Sequence, residues 1–393
     1  MHDLLAELLR RPAQQQPEWD DTTHVESIRR KLSASPSLVD AADVRALRSL
    51  LARVAEGEAQ IVQAGDCAED PAECGRRDIV RKTGLVHMLA GIMQMNSRRP
   101  VVRVGRIAGQ FGKPRSRPTE MVAGVEMPTY RGHLVNSPEP DPRGRRPDPR
   151  RLLACYKAAR TAMTHLGWHR ASRAPRATGL EPRVWTSHET LVLDYEVPLV
   201  RRDDAGRLLL TSTHWPWIGE RTRQVDGAHV ALLAQVANPV ACKVGPAVTA
   251  DELVTLCERL DPHREKGKLT LIARMGDALV PERLPGLVAA VRASGHPVIW
   301  LSDPMHANSV VRPDKSKTRY LETIKREVDA FQCAVRAGGG LAAGLHLEAT
   351  PDNVTECLAN DAELERSEYK YTSFCDPRLN PRQAAEVVSL WAT

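Results

Sequence analysis

Eight short runs rich in β-branched and apolar residues, separated by stretches with helical periodicity, constrain the fold of this chain more than any other feature. The runs are Gln60 to Ala64, Val101 to Ile107, Arg183 to Ser187, His214 to Gly219, Val240 to Val244, Leu269 to Arg274, Val298 to Ser302 and Leu345 to Glu348. Thr249 followed by Glu252 is a capping-box signal, opening a helix with Leu253, Leu256, Cys257 and Leu260 on one face. Leu284 to Ala293 leads into the stop signal Gly295-His296-Pro297, and Leu321, Ile324, Val328, Phe331 and Val335 mark a further helix. Alternating β and α units predict a parallel sheet, and eight of them predict a closed (β/α)8 (TIM) barrel, an α/β fold. Ser27 to Leu32 and Val44 to Val54 carry helical spacing, so a helical extension over 1–56 is expected before a barrel domain over 57–393. Val197 to Arg202 and Leu208 to Ser212 flank Asp203-Asp204-Ala205-Gly206, which predicts a small inserted β-hairpin before the fourth barrel strand.

Composition serves mainly to exclude. No apolar run is long enough to span a bilayer. The N-terminal MHDLLAELLRR lacks the apolar core and small-residue cleavage site of a signal peptide, so a cytoplasmic enzyme is expected. The eight cysteines show no C-x-x-C spacing, which leaves most of them as small buried hydrophobes. Much of the +6 net charge sits in 142–151, an arginine run without aromatic residues. That run reads as a solvated loop, and neither nucleic acid nor membrane is expected as a partner.

The chemistry gathers at the C-terminal end of each run. Asp66, Cys67 and Glu69 come after the first, and Arg106 lies in the second. His188-Glu189 and Glu220-Arg221 come after the third and fourth. The fifth contains Lys243, the sixth ends at Arg274, Asp303-Pro304-Met305-His306 succeeds the seventh, and the eighth closes at Glu348. The C-terminal ends of barrel strands converge on one face, where barrel active sites are built. Arg106, Lys113, Arg221, Lys243 and Arg274 together would repel one another unless anions lie among them, so the expected ligand carries phosphate and carboxylate groups. Cys67, His306, Glu348 and Asp376 supply a thiolate, an imidazole and two carboxylates. Such mixed ligation suits manganese, iron, cobalt or zinc better than magnesium.

On these residues the chain resembles the type II, plant-like, 3-deoxy-D-arabino-heptulosonate 7-phosphate (DAHP) synthases. The matching stretches run from 63–69, 105–116, 187–196 and 217–224 through Lys243-Val244-Gly245-Pro246, Arg274-Met275-Gly276, Asp303-Pro304-Met305-His306, His346-Leu347-Glu348 and 375–380. The resemblance implies condensation of phosphoenolpyruvate with D-erythrose 4-phosphate. It implies a divalent metal, manganese or cobalt before zinc or iron, on Cys67, His306, Glu348 and Asp376. It also implies phosphoenolpyruvate contacts from Arg106, Glu220, Arg221, Lys243 and Arg274, with Lys113 beside them. Arg115 and Ser116 would meet the sugar phosphate. Glu220, Lys113 and Trp217 are the candidate catalytic groups, Glu220 for positioning a water.

The chain departs from the family pattern at Ala64 and Ala307 (glycine expected), Ser302 (cysteine) and His133 (aspartate). His133 bears on the aldose end and keeps open an aminoDAHP synthase acting on a nitrogen-bearing analogue. A non-catalytic binding paralogue and a nucleic-acid-binding protein using the arginine run are the other rivals. The Pro- and Gly-broken link between Leu166 and Arg183 is a poor candidate for the packed helices that hold aromatic feedback inhibitors in longer members. That resembles the short forms of secondary-metabolite pathways. The N-terminal helices need a surface to pack on, and a homodimer or tetramer is expected for that reason.

Overall fold

In the computed structural model, residues 7–8, 10–122, 124–168, 183–312, 316–364 and 370–391 are described. Most of the link between Leu166 and Arg183, expected to be too broken for effector helices, lies outside them.

The eight parallel strands are β1 (Gln60–Gly65), β2 (Val101–Arg106), β3 (Trp185–Glu189), β4 (Trp215–Ile218), β5 (Val240–Val244), β6 (Leu269–Ala273), β7 (Ile299–Ser302) and β8 (Ala342–Glu348). They close into a barrel in sequence order, each within a few residues of its predicted run. The expected hairpin is present as Val200–Arg202 paired antiparallel with Leu208–Leu210.

Register decides what the mouth contains. Gly65 pairs with Arg106 on one side and Glu348 on the other. Ile272 pairs with Lys243, and Glu189 with Trp217. Gly65 is required: its φ is 151°, and a Cβ there would lie 2.8 Å from the Arg106 carbonyl oxygen. The chain therefore leaves β1 tightly against β2 and delivers Cys67 between Arg106 and Glu348.

Helices α1 (Thr22–Ser33) and α2 (Ala41–Ala55) precede the barrel and are capped by Asp21 and Asp40. Leu47, Leu51 and Val54 of α2 share a buried cluster with Ile61, Val104, Trp215 and Leu301 of the barrel interior. Helix α2 therefore packs on the chain's own barrel core. Leu32 of α1 packs with Leu152, Cys155 and Tyr156 of α4, where α3 is Arg76–Ser97 and α4 Arg150–His165. This corrects one expectation, since the N-terminal helices find their packing surface within the chain, and the reason given for association falls away.

Among the described residues the remaining helices of eight or more residues are α5 (Ala228–Gln235), α6 (Ala250–Leu260), α7 (Val280–Ala293), α8 (Leu321–Ala337) and α9 (Pro381–Ser389). Thr249 caps α6 by accepting from the Glu252 backbone N–H. Helix α7 begins four residues before its predicted start, because Pro281 is tolerated in a first turn where no N–H partner is needed. No helix among the described residues is long and apolar enough to cross a membrane.

Candidate active site

A cavity of about 340 Å³ opens at the C-terminal mouth. Arg106, Lys243 and Arg274 line it from the strands, Trp217, Glu220 and Arg221 from the β4 end, and Lys113, Arg115 and Ser116 from the loop after β2. His306 and Asp376 complete the opposite side. Cys67 and Glu348 are wholly buried near Asp376. The mouth thus brings together the cations, Trp217, Glu220 and Ser116 with the four metal-ligand candidates.

Ligand atoms of Cys67, Glu348 and Asp376 all lie within 4.8 Å of one another. His306 joins this group through Nε2, 3.1 Å from Glu348 Oε1. Its Nδ1 lies 2.8 Å from Asp303 Oδ2, and a carboxylate there favours the Nδ1–H tautomer, leaving the Nε2 lone pair toward Glu348. The Lys113 ammonium stands 2.7 Å from Cys67 Sγ and 2.6 Å from Asp376 Oδ2. Burial opposes its charge, but Asp376, Cys67 and Glu348 outweigh burial and hold Lys113 well above the ordinary lysine value. Burial, reinforced by Glu348, pushes the Cys67 thiol up. One sulfur, one imidazole and two carboxylates at this spacing fit a divalent transition metal, whose charge would draw the proton from the thiol.

Arg106 is set by a chain of hydrogen bonds along the barrel axis. Its Nη1 donates to His346 Nε2 at 3.1 Å. Arginine has no acceptor, so His346 carries its proton on Nδ1 and donates it to Gln63 Oε1 at 2.7 Å. Gln63 Nε2 then donates to Ser187 Oγ at 2.7 Å, and Ser187 to the Trp215 carbonyl at 2.6 Å. Burial first, then Lys243 and Arg106, hold His346 well below the usual histidine range, consistent with a neutral ring. The indole of Trp217 lies against both cations, 5.4 Å from the Arg106 guanidinium carbon and 5.9 Å from Lys243 Nζ. Its Nε1–H has no partner.

Glu220 Oε1 accepts from Arg223 at 3.1 Å, and its Oε2 has no partner. Lys243 Nζ is 2.8 Å from Asp303. Arg221 Nη2 donates to Ser116 Oγ at 2.6 Å, and Arg115 pairs with Glu120 at 2.9 Å.

Four charged residues that sequence reasoning gave no role hold these groups in place. Arg319, wholly buried, donates to Glu348 Oε2 at 2.7 Å and to the Pro377 carbonyl. Lys317 pairs with Asp376 Oδ1 at 2.7 Å. Arg378 reaches Asp66 at 2.6 Å and Glu356 at 2.9 Å, and Lys82 meets Asp66 at 3.0 Å. His133 does not line the cavity: it sits 2.7 Å from the Tyr130 hydroxyl and edge-on to Phe374.

Glu327 supports the loops after β6 and β7, accepting from Gly276 N–H at 3.0 Å and from Asn308 Nδ2 at 2.5 Å. Burial raises its carboxyl to about 7, against the donors that favour the anion. The unfolded value is about 4.3, so between there and about 7 the folded chain holds a proton that the unfolded chain has lost. This group's contribution to stability is therefore greatest below about pH 4 and declines as pH rises through the window to about 7. Urea unfolding of Glu327→Gln across pH 4.5–7.5 should show a flatter stability profile than the parent. Parallel profiles would contradict the assignment.

A closed parallel barrel whose mouth collects cations beside a Cys/His/carboxylate group defines a barrel enzyme for a multiply anionic small molecule, with a divalent-metal site. The sequence matches the Class-II DAHP synthetase family over residues 5–180 and 170–392, and the chain belongs to that family. It is 54% identical over 391 residues to a probable phospho-2-dehydro-3-deoxyheptonate aldolase of Pseudomonas fluorescens, covering 100% of this chain and 97% of the relative. A phospho-2-dehydro-3-deoxyheptonate aldolase of Streptomyces coelicolor is 37% identical over 426 positions, covering 97% of this chain and 95% of the relative. A solved phospho-2-dehydro-3-deoxyheptonate aldolase structure from Francisella tularensis superposes with a TM-score of 0.56 at 14% identity, over 94% of this chain and 97% of the other, which supports the fold.

Proposed function

We propose that this DAHP synthase joins phosphoenolpyruvate to D-erythrose 4-phosphate in the mouth of its barrel, with Cys67, His306, Glu348 and Asp376 holding manganese or cobalt. The observation that carries the reading is one cavity lined by eight lysines and arginines and by His306 and Asp376, with Cys67 and Glu348 buried beside Asp376. Arg106, Lys243 and Arg274 bind the phosphate and carboxylate of phosphoenolpyruvate and offset their repulsion from the second phosphate. Arg115 and Ser116 take the phosphate of the aldose, with Arg221 close by.

The enol-ether C3 of phosphoenolpyruvate attacks the aldehyde carbon, whose oxygen gains a proton. Water adds at C2, and inorganic phosphate leaves by C–O cleavage. A bound divalent ion supplies Lewis-acid polarisation of the aldehyde. Arg223 fixes one oxygen of Glu220, and the other orients the water. Lys113, charged and buried, stands where it can hold a proton near the new hydroxyl.

We assign the reaction to the cytoplasm, where phosphorylated sugars are made and where thiols stay reduced, which suits Cys67 as a metal-binding thiolate. A secondary-metabolite role is favoured by length. The alignment with the Streptomyces relative runs over more positions than the 393 residues of this chain, so that relative carries segments missing here, whereas the Pseudomonas alignment spans 391.

The test is a steady-state assay with both substrates. Lys243→Ala and Arg274→Ala should each raise KM for phosphoenolpyruvate roughly ten- to hundred-fold, or remove turnover, since a charge-assisted contact is worth about 1.5–3 kcal/mol. Unchanged kinetics in both would locate the site elsewhere.

A further inference from the structure

The aldose end of the cavity is built differently from the phosphoenolpyruvate end. Arg106 and Lys243 lie within barrel strands, and Arg274 directly follows one. Arg115 and Ser116 lie in an irregular loop between β2 and a hairpin of Thr119–Val122 and Val125–Pro128. A loop without ladder partners must find other acceptors for its backbone N–H groups, or its position drifts. Here the acceptors come from outside the barrel.

Residues 12–19, ahead of α1, run along the outside of the loops that follow β2, β3 and β4. The Arg115 backbone N–H donates to the side chain of Gln15 at 2.8 Å. Arg131 works as a two-ended clamp. Its carbonyl accepts from the Lys113 N–H at 2.9 Å, and its guanidinium donates to the carbonyls of Gln15 at 2.5 Å and Gln16 at 3.2 Å. Gln15 has φ of 62°, a left-handed conformation that is unfavourable for a residue bearing a side chain. In that conformation both its carbonyl and its side-chain oxygen serve the same loop.

The segment is itself anchored. Gln16 accepts from Leu193 N–H at 2.9 Å and donates to the Leu191 carbonyl at 2.8 Å, just beyond β3. The Pro12 carbonyl accepts from Ala228 N–H at 2.9 Å at the start of α5. Trp19 Nε1 donates to Asp194 at 2.6 Å. Three β/α loops are thus tied to one strap.

We infer that residues 12–19 are a positioning strap for the second substrate: Gln15 and Arg131 hold Lys113 to Ser116 in register and so set the affinity for the aldose phosphate without touching it. This rests on the reading of Arg115 and Ser116 as the aldose-phosphate end. Among the described residues Arg106, Lys243 and Arg274 make no hydrogen bond to the strap, so the two substrates should respond differently when it is loosened.

The test uses the full-length, metal-loaded enzyme and varies each substrate separately. Gln15→Ala and Arg131→Lys should raise KM for erythrose 4-phosphate roughly fivefold or more, the size of one lost hydrogen bond. KM for phosphoenolpyruvate, bound metal and melting temperature should stay at parent values. Gln15→Gly accepts the left-handed backbone but lacks the acceptor, and should show the same KM rise without loss of stability. Arg115→Ala is the reference. If it raises KM for erythrose 4-phosphate and the Gln15 and Arg131 variants do not, the strap has no such role and the substrate reading stands. If both Michaelis constants rise together in the strap variants, the strap serves general packing and the inference is overturned. If Arg115→Ala leaves KM for erythrose 4-phosphate unmoved, the loop assignment is wrong and the strap's role goes with it.

Discussion

Exhaustive chelation should abolish turnover, and manganese or cobalt should restore it, with zinc or iron as weaker substitutes. The grounds are the donor set and its geometry. Cys67, Glu348 and Asp376 place one sulfur and two carboxylates within 4.8 Å of one another, and Asp303 sets the ring of His306 from behind. Lys113, Lys317 and Arg319 already balance the two carboxylates, so it is the sulfur and imidazole donors beside them that mark the group as a transition-metal site. Cys67→Ser should keep the fold while weakening metal binding by more than tenfold, because a hydroxyl is a harder and far less acidic donor than a thiol. Elemental analysis and manganese titration read the affinity directly, apart from any rate. Full activity in a chelated enzyme shown to contain no metal would overturn the assignment. A Cys67→Ser enzyme that bound manganese as tightly as the parent would remove the sulfur from the ligand set.

The fold was legible because its signals are local. Each barrel strand is a short apolar run bounded by turn residues, and each predicted helix has one buried face. Helices α4 and α9 were not predicted although each buries one face, with Leu152, Cys155, Tyr156 and Ala159 in α4 and Ala384, Val387 and Val388 in α9; the other missed elements lacked a periodic face. Ala228 to Leu233 of α5 are all buried, so no polar side marked that helix. In α3 the outward positions include Gly84 and Gly91, which blur its amphipathic pattern. The hairpin at 119–128 is flanked by Pro118 and ends in Pro128, and of its described residues only Met127 is buried, leaving no buried alternation to read. In the site, residue type and position after a strand were enough to collect the cations. The metal ligands were collected the same way, and the family resemblance sharpened a set in which Cys67 and Asp376 are 309 residues apart. Arg319, Arg378, Lys82 and Lys317 were not legible at all. A charged residue in a loop or helix usually faces solvent, and only the folded chain reveals that three of these are buried against carboxylates.

Of those residues, Arg378 should be the most damaging to replace. It is 7% exposed and spans two carboxylates on different loops: Asp66, next to Cys67, and Glu356, which also accepts the backbone N–H groups of Thr372, Ser373 and Arg378. Lys82 shares Asp66, but no other cation pairs with Glu356 among the described residues. Burial alone would raise the Asp66 carboxyl, yet Lys82 and Arg378 bring it below the ordinary value. Its stabilisation is therefore complete above about pH 4 and is lost as pH falls through the depressed value. Arg378→Met fills a similar volume and leaves the Glu356 carboxyl buried without its cation, on donors from Thr372, Ser373 and the backbone of residue 378. Breaking a buried pair in this way costs about 3–5 kcal/mol. Arg378→Lys keeps the charge but cannot bridge both carboxylates with a rigid fork, so it should fall between parent and Met variant. Because the network joins the loops that carry Cys67 and Asp376, metal affinity should fall in the same order as stability. Denaturant unfolding and manganese titration on the three proteins test both statements. A Met variant as stable as the parent would show that the charges are not energetically coupled, whereas lost stability with unchanged metal affinity would separate this network from the metal site.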